Sequence, residues 1–242
     1  YHQRLAPELQ AKPLAELLAE VEGFTVERYS LALLKGARLG ADERAAIARQ
    51  VAAYTGTTPD FVERNNLRLA LPRFAKELLR GERKTVGRLD SRYTGRDRDA
   101  GGEQFEYDPS YSAIQEPYTA AWNAYVRTEL GFKPTPDVTY EVLAGLYQNW
   151  DYSQFTGQYV NVADTLRHAM SVNPHLRVHV ASGYYDLATP YFATQHTLDH
   201  LGLEEELRAN LSTSTYESGH MMYVRLQDLA KLKRELAAFI VG

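Results

Sequence analysis

Two residues in the last quarter of the chain are of types that do acid–base chemistry together. Asp186 stands in the stretch SGYYDLATP and His220 in YESGHMMYV. A carboxylate bonded to an imidazole fixes which ring nitrogen carries the proton and stabilises the protonated ring. The other nitrogen can then take a proton from a hydroxyl and return it to a leaving group. The plainer reading makes Asp186 a turn cap and His220 a histidine satisfied by its neighbours. No nucleophile accompanies them. No serine lies in a G-x-S-x-G turn, and Ser182 and Ser218, although each precedes a glycine, lack the flanking pattern. No glycine-rich HGG-type run offers an oxyanion hole.

Other groupings point to less. His196 and His200 have the four-residue spacing that can hold zinc on a helix, but the glutamate of H-E-x-x-H is missing. The run DRDAGGEQFEYD, Asp97 to Asp108, imitates a calcium loop with acids at its first, third and last positions. Its fifth position is glycine and an arginine separates the first two acids, so it reads as a polar loop. The chain has no cysteine, which excludes disulfides and thiolate metal sites. No metal and no cofactor are expected. Asn210-Leu211-Ser212 is formally a glycosylation sequon.

The elements around Asp186 and His220 alternate. LRVHVAS reads as a strand with Val178 and Val180 on one side, and NLSTSTY as a weaker, threonine-rich strand. NVADTLRHAM is helical. TPYFATQHTLDHLG is expected as a helix with Thr189 as N-cap, Pro190 at the first helical position and Gly202 beyond its end. LQDLAKLKRELAAFI is amphipathic, with Leu229, Leu232, Leu236 and Phe239 on its stripe. Helix, strand, helix, strand, helix predicts part of a parallel α/β sheet. Asp186 and His220 then fall just past successive strand ends, where open α/β sheets gather their ligands. An acid after one strand and a histidine after the next follow the Ser, Asp, His order of the α/β-hydrolase fold. Two strands alone do not make such a sheet, and their apolar faces would invite aggregation. A preceding segment of the same protein, or a second copy in a homodimer, is expected to cover them.

Upstream, the pattern is helical. Val26, Tyr29 and Leu33 share a face, as do Ile47, Val51 and Tyr54, and Thr58 with Pro59 marks a helix start. A polar, glycine-rich stretch near 92–109 reads as a long loop. A helix carrying Ile114, Tyr118, Ala121 and Tyr125 follows, and GFKPTPDVTY is a proline-broken connector. The division expected is a mainly helical part over 1–145 and an α/β part over 146–242. Over 242 residues the net charge is −4, without a basic stripe for nucleic acid, and no apolar run approaches the roughly 20 residues of a membrane helix.

SGYYDLATP and SGHMMY resemble the two C-terminal motifs of the serine carboxypeptidases, roughly G-D-x-D-x-x-x-P and A-G-H-M-V-P. GRLDSRYTGRD, YDPSYSAI and VNVADTLRHAMSVNPHLRVHVASGYYDLATP resemble the bacterial branch of that family, over most of the chain. The resemblance implies an α/β-hydrolase fold whose C-terminal part is present here, preceded by a helical cap, or insertion, domain. It implies that Asp186 and His220 are catalytic, that Met221 lines the pocket near the leaving residue, and that Tyr184, which stands where many members have aspartate, is a substrate-binding residue. Ser218 in place of alanine and Met222-Tyr223 in place of Val-Pro are further departures, which bear on substrate preference. By the same resemblance the nucleophile, the oxyanion hole and the acidic pair that binds the substrate's terminal carboxylate lie in an N-terminal part outside this sequence. The chain is then expected to be inactive alone, to act on peptides with that part, and to belong to a periplasmic or secreted protein. Another α/β-hydrolase, such as an aminopeptidase or esterase, and a non-catalytic protein-binding module are the competing readings.

Overall fold

The computed structural model describes residues 2–133 and 140–242. The connector expected over 131–140 therefore lies largely outside the described residues. The chain groups into two compact units, one of 1–87 with 92–106 and one of 88–91 with 107–242. The expected division lies at 145/146; the helix from Pro109 and the four residues 88–91 group with the mixed helix-and-strand part.

The first unit is helical: α1 (Pro7–Gln10), α2 (Leu14–Phe24), α3 (Ser30–Lys35), α4 (Ala41–Thr55), α5 (Pro59–Arg64) and α6 (Leu71–Glu77). A π-helical turn, Thr25–Tyr29, joins α2 to α3. Ile47, Ala48, Val51 and Ala52 of α4 are buried with Ala32, Val62 and Leu67, and Tyr29 and Leu33 pack against them. That is the apolar face the helical spacing predicts, except for Val26, which lies in the π-helical turn and is exposed. Thr58 caps α5 by accepting the Phe61 amide at 3.1 Å. A minimal antiparallel pair forms from β1 (Thr85–Val86) and β2 (Thr94–Gly95), and only β2 replaces part of the loop expected near 92–109. Asp97 does not face a cation site: the buried Lys76 ammonium lies 2.5 Å from its Oδ2 and also donates to the Asp99 carbonyl. A lysine thus supplies the positive charge that the acid pattern of the loop suggested.

The second unit is mixed helix and strand. α7 (Pro109–Thr128) precedes α8 (Ala163–Val172), β3 (Val178–Gly183), α9 (Tyr191–Asp199), α10 (Glu205–Arg208), β4 (Leu211–Tyr216) and α11 (Leu226–Val241). β3 and β4 pair in parallel from Val178↔Leu211 to Gly183↔Tyr216. Alternation puts Val178 and Leu211 on the face that packs with Met170, Leu198, Leu201 and Leu203 from the helical side. The other face meets α11: the His179 ring bridges Ser212 and Ser214 and packs at 5.4 Å from Phe239. Tyr216 donates to Glu235 of α11, and burial together with that carboxylate pushes its hydroxyl up to about 12. The strand faces are thus half covered by helices. Among the described residues, large exposed apolar side chains lie on α11, at Leu226, Leu229 and Ile240, on the stretch that follows Tyr140, and also at Leu34 of α3, Trp122 of α7, and Leu130 and Phe132 beyond α7.

Candidate functional site

The site is built where β3 and β4 end. β3 runs out at Gly183, and Tyr184, Tyr185 and Asp186 turn away from the sheet. β4 runs out at Tyr216, and Glu217 to His220 turn beside them. The two turns are tied by the Tyr184 amide on the Tyr216 carbonyl and the Tyr185 amide on the Ser218 carbonyl, both at 3.0 Å. They approach so closely that a Cβ on Gly183 would stand 2.2 Å from the Gly219 carbonyl oxygen. Only a hydrogen is tolerated there.

This geometry joins the two residues that the sequence singled out. His220 Nδ1 lies 2.7 Å from Asp186 Oδ2. The Asp186 side chain is 3% exposed, while that of His220 is 45% exposed. Thr189 Oγ1 donates to Asp186 Oδ2 at 2.6 Å, and the Ala188 and Thr189 amides donate to Oδ1 at 2.7 and 3.0 Å. Thr189 was expected to cap α9; Pro190 occupies that position, and the threonine hydroxyl is held by Asp186 instead. Burial pushes the Asp186 carboxyl up, but bonds from His220 and Thr189 outweigh it and hold the group below its ordinary value. His220 is raised above its ordinary value, chiefly by the hydrogen bond to Asp186, against burial and the repulsion of Arg88.

With Nδ1 engaged, Nε2 is the nitrogen His220 can offer to a partner, and no hydrogen bond to it is made among the described residues. His220 and Met221 line a cavity of about 970 Å³. Its walls are Arg88, Leu89, Asp108, the α7 residues Tyr111, Ile114, Gln115 and Tyr118, then Tyr140, Val142 to Gly145, Tyr147 and Gln148, and Tyr223. Its lining residues include neither serine nor threonine. Tyr184 does not line it: its hydroxyl bonds Thr215 of β4 at 2.9 Å and its ring meets Tyr191 edge-on. Of the four residues singled out as a site, Asp186, His220 and Met221 are together and Tyr184 stands apart.

Residues 88–91 are part of the site and were not foreseen from periodicity, because four residues of a polar turn carry no repeat. Asp90 was visible only as part of the GRLDSRYTGRD resemblance. The His196 and His200 rings lie 4.0 Å apart between centroids, tilted at 36°, and no group of three or more metal-binding side chains occurs among the described residues. Among the described residues no helix is long and apolar enough to cross a membrane. Comparison with family models, curated proteins and solved structures returned no match for this chain. The resemblance to the serine carboxypeptidases accordingly stands on the residues quoted for it.

Proposed function

We propose that this chain carries the acid and base of a serine-type carboxypeptidase, a hydrolase in which Asp186 orients His220 and His220 activates a serine. The observation that supports this most is the 2.7 Å bond between His220 Nδ1 and a buried Asp186, at the ends of two adjacent parallel strands and on the wall of a cavity. His220 takes the proton of the serine hydroxyl at Nε2 as the oxygen attacks the peptide carbonyl, and passes it to the departing amine. Water then enters the acyl-enzyme by the same base, which releases the shortened peptide. The described residues supply no such serine to the cavity, so in this reading the serine and oxyanion donors come from an N-terminal segment of the same protein, and the 242 residues alone are inactive. That segment, or a second copy of the chain, would also extend the two-stranded sheet.

Arg88 favours a carboxypeptidase over an aminopeptidase or esterase. It lines the cavity beside His220, its nearest carboxylate oxygen is Asp108 Oδ2 at 3.8 Å, and its guanidinium makes no hydrogen bond among the described residues. A substrate carboxylate is what such a fork of donors takes. Met221 and the tyrosines give the apolar wall for the leaving residue. A fluorophosphonate serine probe tests the reading. The chain by itself should remain unlabelled, whereas the protein with the sequence preceding Tyr1 should be labelled on a serine in that sequence. Labelling of the 242 residues alone would refute the division of the triad. If neither is labelled, the non-catalytic binding reading replaces this one.

A further inference from the structure

We propose that residues 88–91 form a positioning strap across the two turns, and that Asp90 holds His220 against Asp186 by way of the Gly219 amide. Each residue of the strap bonds one of the two turns, the outer two the Asp186 turn and the inner two the His220 turn. The Arg88 carbonyl accepts the Leu187 amide at 3.0 Å, and the Ser91 amide donates to the Tyr185 carbonyl at 2.9 Å. These two bonds bracket Asp186. The Leu89 carbonyl accepts the amide of His220 itself at 2.7 Å. Asp90 Oδ2 accepts the amide of Gly219 at 3.0 Å, across 129 residues of sequence. Asp90 is 9% exposed and Leu89 is 8% exposed, so these bonds are made in a shielded place.

The contact leaves no room for adjustment. A Cβ on Gly219 would stand 2.3 Å from the Leu89 oxygen and 2.4 Å from the Asp90 Cβ. The strap is itself fixed from the other side. The Arg88 amide donates to Asp108 Oδ1 and the Leu89 amide to Ser110 Oγ, both at 3.0 Å, at the capped start of α7. A rigid helix end thus sets the place of the strap, and the strap sets the distance between the acid and the base. Hydrogen-bonded support of this kind fixes a ring orientation that side-chain rotamers alone would leave loose. Asp90 is a positioning residue, since its carboxylate bonds the backbone of Gly219 and not the His220 ring. The assignment rests on the catalytic reading for its significance, but the arrangement can be measured without any turnover.

The His220 ring is titrated by NMR in the whole chain, as wild type, Asp90→Ala and Asp90→Asn. The charged groups acting on the ring are Asp186 and Arg88. In the wild type the midpoint should lie above 6.5. In Asp90→Ala it should fall by about half a unit or more, as the ring drifts from Asp186. Asp90→Asn should restore it, because the amide oxygen still accepts the Gly219 N–H. A titration unchanged in folded Asp90→Ala, or an Asn variant no better than the Ala variant, overturns the proposal. If Asp90→Ala does not fold, hydrogen exchange of the wild type decides. The Gly219 and His220 amides should be protected like those within β3 and β4, and exchange at open-loop rates overturns the strap. None of these outcomes depends on a serine, so failure of the hydrolase reading would be seen separately.

Discussion

Asp186 and His220 divide the work by their exposure. The acid is enclosed and tied by three further donors, so its position is set, while the imidazole keeps one edge in the cavity. Their opposite shifts define a pH window. The contribution of Asp186 to stability is present above its unfolded value near 3.8 and fades as pH falls through the lower folded value. That of His220 is complete below 6.5 and fades as pH rises through its raised folded value. Asp186→Asn should therefore destabilise most between those limits, and the difference from wild type should narrow on either side. Because His220 is nearly half exposed, the effect is modest, and urea midpoints across pH 3 to 9 read it. A gap that is constant over pH would show that the pair is not ionic. Both residues were legible in the sequence, since an acid past one strand and a histidine past the next is a pattern of spacing. The involvement of Thr189 was misread, because a threonine before a proline looks like a cap until the competing carboxylate is seen.

At the level of elements, the parallel pair and the helices around it follow from period and capping. α4 buries the residues that its spacing selects, and Thr58 caps α5 as Thr-Pro predicts. Thr58→Ala should cost about 1 kcal/mol in a denaturant titration without touching the His220 titration. Loss of less than a few tenths would mean the cap is already replaced by water. The glycines at the strand ends were not legible. Nothing local distinguishes Gly219 from any glycine in a turn; its necessity arises from backbone that arrives from residues 89 and 90. Gly219→Ala should cost more than about 2 kcal/mol, since backbone and a buried side chain must both move. A chain that accepts alanine there with an unchanged midpoint would contradict the close packing of strap and turn. The strap was missed for the same reason: its structure is made of long-range bonds, and sequence pattern reports short-range ones.

For the whole molecule, the sequence pattern places helices first and mixed helices and strands after, but the grouping of α7 with the mixed helix-and-strand unit was not legible, because it depends on long-range contacts. The proposed activity belongs to this scale, since it requires a nucleophile that the described residues do not bring to the cavity. The most direct measurement compares peptide hydrolysis by the chain joined to the proposed N-terminal segment with that by its His220→Ala variant, on matched peptides with free and amidated C-termini. Release of the last residue from the free peptide alone, reduced by a factor of about 10⁴ or more in the variant, is the result this account predicts. Equal cleavage of both peptides, or turnover that survives the loss of His220, would contradict it.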